Sequence, residues 1–192
     1  MNNEYIYETV VTTCRSDGSV HIVPLGVRYD GEMVVLAPFK PSTTLKNIIR
    51  EKCAVINFTD DVRVFAGCLI GKTDWPTMQA VKIKGARLTN TLSHMEVELA
   101  EIQDDPLRPR LLCRQVHFES HQPFLGFNRA QNAVLEASIL VSRLHMLPQE
   151  KVRDEISYLS IAIDKTAGSN EKEAWEWLME KIESYYLSQS HS

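Results

Sequence analysis

A chain of 192 residues with an ordinary hydrophobic share (44%) can hold one domain with an appendage, or two small domains, around a real core. Its net charge of -4, with no basic tract and no Arg/Lys-rich amphipathic stretch, argues against a nucleic-acid surface or a membrane-surface helix; no run approaches the ~18 apolar residues of a membrane span. Small soluble ligands are therefore the expected partners, with no nucleic acid and no membrane, and MNNEYIYETVV, lacking a basic region followed by an apolar run, points to a cytoplasmic protein.

The first elements read as strands. YIYETVVTTC and VHIVPLGVRYD flank the turn RSDGS, and MVVLAPF follows the turn DGE, so three strands meander over short connections. The stretch APFKPSTTLKNIIREK then starts a helix whose apolar face is Leu45, Ile48 and Ile49. Its start holds Lys40, Ser42, Thr43 and Thr44 but no Asp or Glu, although a helix N-terminus is the positive end of the dipole. An external anion such as phosphate would fit there, held by N–H groups, hydroxyls and a lysine; an ordinary capped helix accounts for the hydroxyls as well.

CAVINFT follows as a short apolar strand, and DDVRVFAGCLIG as a second helix capped by Asp60 or Asp61. The run GCLIGKT, Gly67 to Thr73, imitates a phosphate-binding P-loop but has three residues between its glycines where that loop requires four, and it follows a helix. KIKGARLTN, HMEVELAEI and RPRLLCRQVHFES read as further strands, with Met95, Val97 and Leu99 apolar and Glu96, Glu98 and Glu101 flanking. Six or seven antiparallel strands on short turns suggest a barrel. From Phe127 the pattern becomes helical in three segments, punctuated by Pro148 and by Gly168 with Ser169, which gives an α+β chain with a barrel over residues 1–122 and a helical subdomain over 123–192.

Four scattered cysteines without a C-x-x-C pair give neither a zinc pattern nor a disulfide framework. His117 and His121 have H-x-x-x-H spacing, which clasps a metal on a helix, but VHFESHQPF carries strand formers and a proline, so no metal site is assigned. On the first C-terminal helix Arg129, Glu136 and Arg143 recur every seven residues, a drift of only ~20° per step, beside Asn132. They form one polar stripe on a helix otherwise rich in Ala, Val, Ile and Leu. The stripe is either a solvated edge or a structural Arg-Glu-Arg network, or it faces a site.

Taken together, ETVVTT, PLGV, APFKPSTTLKN, VINFTDDV, FNRA and LEASILVSR resemble the DUF447 family, relatives of the flavin reductase-like FMN-binding split barrel, over nearly the whole chain. The resemblance implies a six-stranded antiparallel split barrel that forms a homodimer, with FMN at or near the subunit interface. It implies that Lys40, Ser42, Thr43, Thr44 and Asn47 hold the FMN phosphate, that Pro24, Leu25 and Gly26 offer backbone edges to the isoalloxazine ring, and that Asn57, Phe58 and Thr59 border that ring. An FMN-dependent oxidoreductase acting on a small-molecule substrate or electron donor follows, with Arg129 steadying an anionic reduced flavin or a substrate carboxylate. The alternative is a binding module in which FMN is a structural or sensing ligand and the aromatic tail AWEWLMEKIESYY docks a partner.

Overall fold

The structure, a computed structural model, describes residues 5–190. These separate into two units, one running through Thr59 and again from Asp74 to Phe124, the other made of Asp60–Thr73 and the chain from Leu125 onward.

The first unit is built on a seven-stranded antiparallel sheet with the order β2-β1-β5-β8-β9-β4-β3. Its strands are β1 (Val10–Cys14), β2 (Val20–Pro24), β3 (Val27–Asp30), β4 (Met33–Leu36), β5 (Cys53–Phe58), β8 (Ser93–Gln103) and β9 (Arg110–Ser120). The turns between β1 and β2 and between β3 and β4 contain Gly18 and Gly31, both at positive φ, a conformation that glycine adopts without a Cβ clash. The stretch expected as one strand, VHIVPLGVRYD, is two: β2 pairs with β1, while β3 pairs with β4. Between them Leu25 and Gly26 turn the chain, and a Cβ on Gly26 would stand 2.5 Å from Ile6 Cγ2, so any larger residue would force Ile6 to shift. Tyr7, just before β1, exchanges two 3.0 Å backbone hydrogen bonds with Val27 at the start of β3. The backbone ladder therefore runs from β1 through β5, β8, β9, β4 and β3 back to the segment preceding β1.

Strand alternation sends Val11, Ile56, Met95, Val97 and Leu111 to a shared core with Val27, Val34 and Leu36. Helix α1 (Thr43–Glu51) buries Leu45 and Ile48 in the same cluster, each removal from water contributing about 1.5–3 kcal/mol. The opposite face of β5 carries Cys53 and Val55, covered by Ala80 and Ile83 from the segment between β6 (Thr77–Gln79) and β7 (Ala86–Leu88), a two-stranded sheet.

The second unit is helical: α2 (Arg63–Leu69), α3 (Arg129–Ser142), α4 (Gln149–Thr166) and α5 (Ser169–Ser190). Val62 occupies the cap position of α2 and makes no side-chain cap; Asp61, one residue earlier, accepts from Arg63 N at 3.2 Å and grips the Arg63 guanidinium at 2.8 and 2.7 Å. Gly67 lies inside α2, so GCLIGKT is not a phosphate loop. Ala130, Ala133, Val134, Ala137 and Val141 form the buried face of α3, packed with Ile163, Ala174 and Leu178. Asn128 fixes the start of α3, its Oδ1 accepting from Ala130 N at 2.7 Å and its Nδ2 donating to Thr166 O at 3.1 Å. Trp175, Trp177 and Ile182 of the aromatic tail pack against this core. Among the described residues no helix is long and apolar enough to cross a membrane.

Candidate functional site

The start of α1 is built by three elements. Ser42, extended at the cap, accepts from Leu45 N at 3.2 Å, which satisfies one of the helix's open donors, and the first turn contains no acid. Thr44 is buried, with its Oγ1 3.1 Å from His21 Nε2 on β2. The other ring nitrogen, His21 Nδ1, lies 3.1 Å from the Arg15 guanidinium. Arginine only donates, so Nδ1 is the acceptor and Nε2 carries the hydrogen. His21 then donates to Thr44, whose own O–H has no acceptor among the described residues. Burial lowers the His21 pKa, and the charge of Arg15 lowers it further, which keeps the ring in this neutral form. The result is a relay of oriented donors ending at a helix start with no anion of its own, an arrangement suited to phosphate.

Two expected phosphate ligands are used differently. Lys40 Nζ pairs with Asp104, an exposed ion pair of small energetic value. Asn47 faces inward: its Nδ2 donates to Thr13 Oγ1 at 3.0 Å and its Oδ1 accepts from Arg50 at 3.2 Å, tying α1 to β1. Thr43 is exposed at the first position of the helix. Arg15 and His21 escaped the sequence reading; the one local signal was a histidine inside the apolar run VHIVP.

A second feature of the same unit is an aromatic cleft of about 850 Å³. Tyr7 and Tyr29 form one wall, edge to face with centroids 5.6 Å apart, and Phe58 and Phe118, 6.3 Å apart, form another, with Phe124 beside them. Burial raises the Tyr29 pKa, with a smaller contribution from Tyr7. Phe58 thus opens onto a cavity. Its neighbour Asn57 does not: its side chain is fully buried, donating to Val10 O at 2.9 Å and accepting from Leu88 N at 2.7 Å. Thr59 donates to Asn90 O at 3.2 Å. At the bend beyond Pro24 both Leu25 backbone groups are engaged by Thr9, N–H to Thr9 O at 2.9 Å and C=O from Thr9 Oγ1 at 2.7 Å. Gly26 is the tight contact with Ile6 described above.

Arg129 is exposed in the first turn of α3, at a cavity of about 380 Å³ in the helical unit lined also by Asn132 and Tyr158. Glu136 and Arg143 are exposed as well, so the stripe is a solvated edge whose charges face water. Leu135 and Ile139, partly buried and exposed respectively, had made the helix look apolar on all sides. Burial pushes the thiols of Cys53 and Cys68 up to about 11 and that of Cys113 to about 12, which keeps these three protonated at neutral pH.

The chain matches a family model described as "Protein of unknown function (DUF447) N-terminal domain" over residues 7–122 and the corresponding DUF447 C-terminal model over residues 128–180. Among solved structures, an FMN-bound DUF447 protein from Methanosarcina mazei superposes with a TM-score of 0.78 at 22% identity, over 93% of this chain and 95% of that one. The 2-nitrobenzoate 2-nitroreductase of Pseudomonas fluorescens gives 0.52 at 23% identity, over 59% and 64%, and an FMN-binding protein from Thermus thermophilus gives 0.50 at 14%, over 61% and 72%. At these identities the likeness is one of fold.

Proposed function

The chain belongs to the DUF447 family, and from that premise we propose that it binds FMN in its β-rich unit and acts as an FMN-dependent oxidoreductase. The observation that carries the reading is the acid-free start of α1, where Arg15 and His21 set the Thr44 hydroxyl to donate. The fold shared with an FMN-bound relative supports it. We read the strand circuit, with β2 bent at Leu25 and Gly26 into β3, as the split barrel of FMN-binding proteins.

In this reading the N–H groups of the first turn, the hydroxyls of Ser42, Thr43 and Thr44, and His21 behind Thr44 hold the phosphate. From His21 to Pro24 the β2 strand covers about 10 Å, a span that suits a ligand whose anionic end and flat ring are joined by a sugar-alcohol chain. The aromatic cleft shields the flat ring from water and packs its faces. When bound, FMN supplies the hydride or electron transfer. Arg129, which lines a cavity of the helical unit, has an always-charged guanidinium suited to a substrate carboxylate.

A homodimer belongs to the same proposal. Leu125 and Phe127 are 91% and 100% exposed, apolar surface that a second copy would bury. Light scattering of the FMN-loaded protein should give twice the chain mass; a monomeric mass would remove the shared site. For the function itself, the purified protein should carry the visible flavin band and bleach on addition of NADH or NADPH, recovering with an electron acceptor. A yellow protein that no nicotinamide donor reduces would leave FMN as a structural ligand.

A further inference from the structure

On the outer face of β8 and β9 lies a group of side chains that the flavin reading does not use. Strand alternation that turns Met95 and Val97 into the core turns His94 and Glu96 the other way, and both are fully buried, Glu96 against the segment 81–83. On β9, His117 and Glu119 share that face, and His121 follows directly after the strand. His94 Nδ1 stands 2.9 Å from His121 Nε2, and a donor atom from each of His94, Glu119 and His121 falls within 4.8 Å of the others.

We infer that His94, Glu119 and His121 form a binding site for a divalent first-row transition-metal ion such as zinc. Two imidazoles and one carboxylate are a donor set that favours zinc, nickel or copper over magnesium or calcium. The surroundings are those of metal ligands. His94 Nε2 lies 3.2 Å from Glu96 Oε1, so its second nitrogen is oriented by a carboxylate while Nδ1 faces His121. Glu96 is itself fixed, its two oxygens accepting from the backbone N–H groups of Val81, Lys82 and Ile83, which leaves it no capacity as a ligand and makes it a positioning residue. His117 Nε2 is buried without a hydrogen bond among the described residues and stands 3.5 Å from Glu119 Oε2, ready to hold the carboxylate once it turns to the ion. Without metal a proton lies between the His94 and His121 rings; the ion takes its place, bonding both nitrogens. His94 is enclosed but Glu119 is exposed and His121 half-buried, giving an ion an entry path. His121 also lines the aromatic cleft, so the ion would sit at the cleft's edge with an open coordination position for water or an anionic group.

The test is calorimetric titration of zinc chloride into the purified full-length protein after chelator treatment and dialysis. The expected result is one zinc per chain, bound tightly, with magnesium unable to compete. Glu119→Gln and His121→Ala change residues at the open side and should each weaken zinc binding by about 100-fold or more, and Glu119→Gln, which removes no hydrogen bond of His94, should leave the melting temperature of the metal-free protein unchanged. His145→Ala, an exposed histidine outside the cluster, should bind as the unaltered protein does. Absence of stoichiometric binding, or binding that Glu119→Gln and His121→Ala leave intact, overturns the site and leaves His94 and His121 as a hydrogen-bonded pair.

Discussion

His21 shows how much one side chain can decide. Its neutral tautomer is fixed by Arg15, and its folded pKa lies below the ordinary 6.5 because burial and then Arg15 disfavour the charged form. The unfolded chain therefore takes up the proton first, so the stability that neutral His21 contributes is present above pH 6.5 and lost as pH falls through its lowered folded value. Thermal melts should show His21→Gln losing less stability than the unaltered protein between about pH 7 and about pH 5; identical slopes would mean that the ring is not held neutral. For the hydroxyl it positions, Thr44→Val keeps the shape and removes the donor. FMN affinity should fall by roughly 10- to 100-fold, the value of one charge-assisted hydrogen bond, with riboflavin affinity unchanged. The cap at Ser42 and the missing acid were legible in the sequence. Arg15 and His21 were not, because they reach the helix start from a turn and a strand, and sequence spacing does not reveal which strand ends lie beside which helix.

At the level of elements, alternation and periodicity located most strands and helices but not what covers them. Glu96 alternates with apolar neighbours as a solvent-facing strand residue does, and is fully buried because the segment before β7 folds over it. The stripe on α3 left more than one reading open: a seven-residue repeat puts Arg129, Glu136 and Arg143 on one side, but only the Ala-lined face shows which side is inside. Helix α1 ends with Lys52 at φ 61°, a left-handed position that glycine adopts at less cost. Its N–H donates to Ile48 O at 2.9 Å and its side chain is exposed, so the conformation serves the backbone. Lys52→Gly should raise unfolding stability by about 0.5–1 kcal/mol, read from the denaturant midpoint. A lower midpoint would show that the lysine side chain contributes more than its backbone strain costs.

For the whole molecule, the sequence divides near residue 122, yet Asp60–Thr73, carrying α2, groups with the C-terminal helices. Composition changes at Phe127 are visible along the chain; a short helix that leaves the sheet and packs with helices more than sixty residues later is not, since its apolar face is equally suited to either core. The β-rich unit holds both the donor-lined helix start and the aromatic cleft, which in the proposed function take the two ends of one ligand. Its most direct test is a fluorescence-quenching titration of FMN and riboflavin, which share the ring and differ by the phosphate. Losing two or three charge-assisted hydrogen bonds should weaken binding on the order of a thousandfold, so FMN should bind that much more tightly than riboflavin. Equal affinity for the two flavins would contradict the phosphate site at the start of α1.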